Sequence, residues 1–204
     1  LNSSHLIDAQ YLVDLADNGL ILPRCQAVPA EAVITVEKLD KLRSWANPNS
    51  LPVLVLSYPW VDKDHPDPKG WLLPKLSPIL RAMLAQARTY DPEATVGVML
   101  DYCSLPQNPR TKAEEETFKL GLHMMHQWYS HPYTHVLLVT TPLPTPEEDP
   151  YYEGLNLKTY QQRGWCYYEK LMSCLVTHRT CLWDLQYYEE GDDYYGCGQH
   201  MSKY

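Results

Sequence analysis

The chain has 204 residues, 45% hydrophobic and 21% charged, which is typical of a soluble globular protein with one sizeable domain. Its formal net charge of −8, without any cluster of Lys or Arg, argues against nucleic acid or an anionic membrane surface as a partner. No apolar run approaches the roughly 20 residues of a membrane helix, no signal peptide is recognisable, and the six cysteines form no CxxC pair, so a cytoplasmic protein with reduced thiols is expected.

Residues 1–50 predict a helical N-terminal arm, because they contain too little apolar sequence for a core of their own. A first helix over residues 5–19 places Ile7, Tyr11, Leu12 and Leu15 at helical spacing before Gly19. A second helix carries Val36, Leu39, Leu42 and Trp45 on one stripe. The chain begins with Leu rather than Met, as a domain or fragment of a longer protein would.

Residues 51–185 alternate between short apolar runs and amphipathic segments. Buried strands are predicted at 51–58, 95–102, 134–141 and 178–185. Helices are predicted at 72–90, at 112–130 and from about residue 163. This order predicts a three-layer α/β domain, a parallel sheet flanked by helices, and residues 186–204 read as an irregular, acidic, Tyr-rich tail.

Polar side chains follow the first two predicted strands. Ser57, Tyr58 and Trp60 follow the first strand, and Asp101, Tyr102, Cys103, Gln107 and Arg110 end or follow the second. In open parallel sheets, ligands bind at the carboxyl ends of the strands. These side chains are therefore expected to meet in one crevice.

Glu169 is the most informative residue of the last predicted helix. Helical spacing places it on an apolar stripe with Trp165, Met172 and Val176. A carboxylate in such a position is paired, protonated or catalytic. One interpretation is a structural ion pair with Arg163, Lys170 or Arg110, and the other is a catalytic group facing the crevice.

Several stretches together resemble a known family. "RGWCYYEKL" resembles the WCxxEL segment of plant-type TIR domains, and "LSYPW", "MLDYCSLPQ" and "HVLLVT" follow the order of motifs in the TIR-like HET (heterokaryon incompatibility) domain. The resemblance covers roughly residues 50–185 and implies a TIR/flavodoxin-like fold. It also implies cleavage of the nicotinamide–ribose bond of NAD, as a substrate rather than a bound cofactor, in an immunity or cell-death protein that self-associates.

The same resemblance assigns roles to individual side chains. Glu169 corresponds to the catalytic glutamate. The substrate-binding positions are Ser57, Tyr58, Trp60, Asp101, Tyr102, Cys103, Gln107, Arg110, Arg163 and Trp165.

Three other functions stay open at the level of sequence. The domain could be a non-catalytic self-association module, or an N-glycosidic enzyme acting on nucleosides, similar to a deoxyribosyltransferase. A metal site built from His123, His126, His131 and His135 is disfavoured, because no acidic or Cys ligand joins them at a recognised zinc spacing. No metal is therefore expected.

Overall fold

The computed structural model describes residues 3–38, 40 and 52–202. The strands are β1 (Leu6–Asp8), β2 (Val33–Ile34), β3 (Val53–Ser57), β4 (Gly97–Met99), β5 (His135–Leu138) and β6 (Leu182–Asp184). The α-helices are α1 (Ala9–Asp17), α2 (Leu72–Arg88), α3 (Asp101–Ser104), α4 (Lys112–Tyr129), α5 (Gly164–Val176) and α6 (Tyr194–His200). None of the described helices is long and apolar enough to cross a membrane.

The six strands form one mixed sheet in the order β2-β1-β4-β3-β5-β6. The four strands predicted from sequence are all present and run parallel, with Val55 paired to Met99 on one side and Val136 on the other. β1 is antiparallel to both β4 and β2. The prediction of a parallel sheet is therefore confirmed for its centre, and two antiparallel strands extend one edge.

Helices cover both faces of the sheet, as the uninterrupted apolar strands predict. Leu54 and Leu56 of β3 lie in a core cluster with α1, α2 and α6. Val53 and Val55, which point the opposite way, lie in a second cluster with α4 and α5. Alternate residues of one strand thus pack into two separate cores, which is the arrangement of a sheet between two layers of helices.

The described part of the N-terminal arm contains strands as well as a helix. Residues Leu6–Asp8, expected to be helical, form β1, and Ile7 is fully buried. Asp8 caps α1 by accepting a hydrogen bond from the Gln10 amide at 2.9 Å, which moves the helix start to Ala9. Pairing with β4 satisfies the backbone hydrogen-bonding groups of Leu6–Asp8. These residues therefore form a strand although their apolar spacing is that of a helix. Of the second predicted stripe, Val36 is exposed, and Leu39, Leu42 and Trp45 lie outside the described residues.

The C-terminal residues 186–202 are part of the folded domain rather than an irregular tail. Cys197 and Met201 are fully buried in the core cluster that contains α2. Asp193 caps α6 by accepting from the Gly196 amide at 2.8 Å. The acidic and Tyr-rich composition of this segment reflects its solvent-facing side, while the two apolar side chains one helical turn apart hold it on the sheet.

Candidate active site

The candidate site lies at the carboxyl end of β3, where the chain reverses its direction across the sheet. From β3 the chain passes to β4 on one side, and from β4 it crosses to β5 on the other. Connections that leave in opposite directions open a crevice outside the strand ends, and this is where parallel α/β sheets bind ligands. Ser57 is the last residue of β3 and is fully buried.

Glu169 reaches this strand end from α5. It is 3% exposed, and the Ser57 hydroxyl hydrogen-bonds to its Oε2. The inward face of α5 is formed by Cys166, Glu169 and Ser173, at steps of three and four residues. The predicted stripe was therefore wrong at its ends, since Trp165 and Val176 are both about half exposed.

A chain of hydroxyl groups continues from Glu169 into the core. The Tyr160 hydroxyl lies 2.6 Å from the Ser57 oxygen, and it donates to the carbonyl of Cys166 at 3.0 Å. The Ser57 hydroxyl donates to Oε2 of Glu169 and the Tyr160 hydroxyl donates to the Cys166 carbonyl, so each of the two hydroxyl groups has an acceptor within the core.

Burial raises the pKa of Glu169 to about 8. The Ser57 hydroxyl, which donates to the carboxyl group, opposes this rise, and the charge of Asp101 adds to it. At pH 7 most Glu169 side chains in the folded protein are protonated. Such a shift at the end of a central strand marks a candidate functional group.

The two arginines proposed as ion-pair partners are engaged elsewhere. Arg163 donates to three backbone carbonyls, those of Asn156, Trp60 and Lys158, at 2.5, 2.6 and 2.9 Å. Arg110 pairs with Glu115 at 3.1 Å. Neither guanidinium neutralises the carboxyl group of Glu169.

Asp101 provides a second carboxyl group at the same edge of the sheet. It accepts hydrogen bonds from the Tyr58 hydroxyl at 2.6 Å, the Trp60 indole at 3.1 Å and the Tyr102 amide at 2.7 Å. Burial raises the pKa of Asp101 to about 6, against these hydrogen bonds, which lower it. At pH 7 Asp101 is therefore mostly ionised while Glu169 is mostly protonated.

Two adjoining cavities, together called the Asp101 cleft here, share Trp60, Asp101 and Trp165 as lining residues. The first has a volume of about 390 Å³ and the second about 460 Å³. The first is also lined by Lys63, Gln107, Asn108, Arg110 and Phe118, and the second by Tyr58, Asn156, Lys158, Arg163 and Cys166. Each cavity thus carries cationic side chains in a protein whose net charge is −8.

The structure brings most of the predicted site residues together. Ser57 and Glu169 form the buried pair, and those that line the cleft are Tyr58, Trp60, Asp101, Gln107, Arg110, Arg163 and Trp165. Gln107 is held by its own loop, since its side-chain amide donates to the Leu105 carbonyl at 2.8 Å. The side chains predicted after the first two parallel strands thus lie around one cleft, whereas Glu169, which was predicted to face it, is buried beside the cleft and is not among the described residues that line the two cavities.

Two predicted site residues serve other purposes. Cys103 is fully buried, its thiol donates to the Pro23 carbonyl at 3.0 Å, and burial raises the thiol pKa well above its ordinary value. Tyr102 packs against Trp60 and His65, with ring centroids 5.5 and 4.6 Å away. Since α3 begins at Asp101, the residues after it turn into the core, and the strand-end pattern alone did not reveal this turn.

Other residues of the site were not found from sequence. Tyr160 joins the hydroxyl chain from the short turn before α5, and Tyr129 comes from the end of α4 and donates to the Leu56 carbonyl at 2.8 Å. Lys63 and Lys158 add charge to the two cavities. The one available signal was the capping box from Thr159 to Gln162, which fixes the position of Tyr160.

The histidines considered for metal binding are not clustered. His123 and His126 lie near each other on α4, whereas His135 is buried in β5. Among the described residues, no group of three or more His, Cys, Asp or Glu side chains is placed to hold a metal ion.

Compared with known proteins, the chain matches no family model, no curated protein and no solved structure.

Proposed function

We propose that the protein cleaves the N-glycosidic bond between nicotinamide and ribose in NAD, in a TIR/HET-like domain. The observation that carries this proposal is the position of Glu169: its carboxyl group is bonded to the end of β3, one helical turn from two residues that line the Asp101 cleft, Trp165 and Cys166. The order of the parallel strands supports a flavodoxin-like arrangement, because the second, first, third and fourth in the chain are neighbours.

The reaction suits a site with few catalytic groups. Loss of nicotinamide leaves an oxocarbenium-like ribosyl cation, which a carboxylate facing the sugar stabilises. The leaving group is a cationic pyridinium and departs as a neutral ring, so it requires no strong general acid. Glu169 in its ionised form would stabilise the cation, and water would complete hydrolysis.

The cleft has the chemistry that a dinucleotide requires. Its two cavities meet at Trp60, Asp101 and Trp165, so one half of the substrate would occupy each cavity. The indole rings supply faces for stacking the bases. Arg110 and Lys63 would bind phosphate in the first cavity, whereas Arg163, with three carbonyl partners, would shape the wall of the second.

The proposal is tested by incubating the purified protein with NAD at several protein concentrations. Chromatography measures the nicotinamide that is released. Glu169→Gln keeps the size and hydrogen bonding of the side chain and should lower turnover by about 10²–10³-fold, the range for removing one strongly stabilising group. Glu190→Gln, at an exposed position, is the matched control and should leave turnover unchanged.

Two results would contradict this assignment. Equal turnover by Glu169→Gln and the unmodified protein would remove Glu169 from the mechanism. Cleavage of purine or pyrimidine deoxynucleosides, with NAD left intact, would indicate the deoxyribosyltransferase-like alternative instead.

A second candidate function, self-association without catalysis, is favoured by the solvent-facing side of α5. This surface, called the α5 face, consists of Trp165, Tyr167, Tyr168, Leu171, Leu175 and Val176, each 45–77% exposed. Exposed apolar patches of this kind commonly mark interaction sites. A surface with few charges brings little like-charge repulsion between copies, so two copies of an acidic protein would meet here about a two-fold axis.

Sedimentation at increasing protein concentration tests self-association. Leu175→Asp should shift the protein to monomer, while Leu20→Asp, at another exposed leucine, should not. A monomer at all concentrations would exclude this function for the isolated domain.

A further inference from the structure

A larger cavity lies at the opposite end of the parallel strands. It has a volume of about 780 Å³ and is lined by, among others, Tyr133, His135, Cys181, Trp183, Tyr194 and Tyr195. His135 is the first residue of β5, and Cys181 directly precedes β6, so the cavity opens at the amino ends of these strands. None of its lining residues lines the Asp101 cleft, and we call it the aromatic cavity.

Aromatic rings from three parts of the chain converge on this cavity. The rings of Trp183 and Tyr194 are 5.9 Å apart between centroids, and that of His135 lies 4.8 Å from Trp183 and 5.8 Å from Tyr194. Tyr195 extends the cluster towards solvent at 5.7 Å from Tyr194. Such edge-to-face groups present flat apolar surfaces together with polar edges.

The polarity of the wall restricts which ligands fit. No Asp, Glu, Lys or Arg is among the described lining residues, so the wall offers an anion no permanently charged partner in exchange for its hydration. The Tyr194 hydroxyl lies 2.9 Å from Nε2 of His135. Among the described residues, Nδ1 of His135 is a buried polar atom without a hydrogen-bond partner, a rare state in folded proteins that calls for a ligand or water.

We propose that the aromatic cavity binds a small, flat, uncharged aromatic or heteroaromatic molecule that carries one hydrogen-bonding group. Its ring would pack against the side chains of Tyr133, Tyr194 and Tyr195, above the buried Trp183. Its polar group would bond to the Tyr194–His135 pair, which is the buried polar point of a wall that also carries His178, Thr180 and Gln199. The volume lies within the range of about 300–1,000 Å³ that is usual for small-molecule sites.

Two probes of the same shape test the predicted ligand class. Indole is uncharged and has one N–H donor, whereas indole-2-carboxylate is an anion at neutral pH. Protein NMR titration should show that indole shifts the resonances of Trp183 and His135, with the anion at least tenfold weaker.

The position of Gly198 provides a variant that fills the cavity without disturbing the core. Gly198 lines the cavity on α6, and a Cβ atom built there meets no other atom within 4 Å. Gly198→Trp should reduce indole binding at least tenfold, and Gly198→Ala should preserve it. Tyr194→Phe, which keeps the ring and removes the hydroxyl, should weaken binding severalfold.

Each outcome decides the proposal without reference to NAD turnover. Loss of indole binding in Gly198→Trp, with an unchanged melting temperature, supports the site. The proposal is overturned if indole shifts no resonance of the lining residues, if Gly198→Trp binds it as well as the unmodified protein does, or if the anion binds equally well.

Discussion

The two ends of the parallel sheet differ in the way they treat polar groups. At the carboxyl end, Glu169 is buried and Asp101 is partly buried, and desolvation raises the pKa of Glu169 to about 8 and that of Asp101 to about 6. At the amino end the wall is aromatic, and burial lowers the pKa of His135 to about 4. The same physical cause thus keeps an acid protonated at one end and a base deprotonated at the other.

The difference indicates that the ends suit different ligands. The Asp101 cleft combines one carboxyl group, that of Asp101, with Lys63, Arg110 and Lys158, which suits a ligand that contains both cationic and phosphate groups. The aromatic cavity lacks formal charges among its described lining residues and suits a neutral ring. Glu169 and His135 change the free energy of unfolding in opposite directions as pH rises. Measuring stability against pH therefore distinguishes the contribution of one end of the sheet from that of the other.

The largest effect is expected from the titration of Glu169. In the folded protein its pKa is higher than in the unfolded chain, so the folded form holds the proton more tightly, and the free energy of unfolding falls as pH rises from about 4.5 to about 8. A shift from 4.5 to about 8 corresponds to a loss on the order of 5 kcal/mol over the whole titration, most of it between pH 5 and pH 8. Urea denaturation at pH 5 and pH 8 measures this loss.

Glu169→Gln should remove most of this pH dependence, since glutamine does not titrate. The slope that remains should come in part from Asp101, whose raised pKa acts in the same direction. If the variant loses as much stability between pH 5 and pH 8 as the unmodified protein, the carboxyl group of Glu169 is not the buried acid.

The second largest effect on the pH dependence of stability is expected from His135, which should make the protein less stable as pH falls rather than as pH rises. Because the folded protein keeps this imidazole neutral, the unfolded chain binds a proton more readily below pH 6.5, and the free energy of unfolding falls as pH decreases from about 6.5 to about 4. The expected loss is on the order of 3 kcal/mol. Denaturation of His135→Gln should show a flatter acid limb, whereas His123→Gln, at an exposed position, should not.

Much of the fold followed from the sequence because its signals are local. The four apolar runs that formed β3 to β6 and the periodic segments that formed α2 and α4 each contain their own pattern. The Thr111 capping box fixes the start of α4 with its reciprocal Glu114 contacts. Strand β1 could not be predicted in the same way, because a helical pattern covers Leu6–Asp8 and its partner β4 lies about 90 residues further along.

The candidate site was only partly predictable for a related reason. Strand ends and helix spacing identified Ser57, Asp101 and Glu169, since parallel strands bring their ends together. They did not fix which way each side chain turns, and Cys103 turned into the core. The hydroxyl of Tyr160, brought to Ser57 across 103 residues, depends on tertiary packing that no local pattern encodes.

A third prediction concerns the pH dependence of NAD cleavage. If Glu169 must be ionised to stabilise the ribosyl cation, turnover should rise with pH to a plateau above about pH 8. A group with a pKa of about 8 is ionised roughly 50-fold more at pH 8 than at pH 6, and kcat/KM should follow this ratio. Turnover that falls over the same range would indicate that the protonated form is the active one.

The smallest effect is expected from Arg163, which holds the carboxyl end together without touching Glu169. Its guanidinium connects Trp60, Asn156 and Lys158 through their carbonyls, and so fastens the segment before α5 to the segment after β3. Lysine provides a point charge rather than a planar fork, so it can replace one or two of these bonds at most. Arg163→Ala should lower the free energy of unfolding by about 1–2 kcal/mol, and Arg163→Lys should recover part of it.

The two ends should respond differently to this substitution. If NAD is the substrate, loosening the wall of the second cavity should raise the KM for NAD severalfold while kcat changes less, because Arg163 lines that cavity and its three hydrogen bonds go to backbone carbonyls rather than to Glu169. Indole binding at the aromatic cavity should be unchanged, since none of the three carbonyls lies among its lining residues. If Arg163→Ala weakened the binding of NAD and of indole equally, the two ends of the sheet would be coupled through the strands that join them.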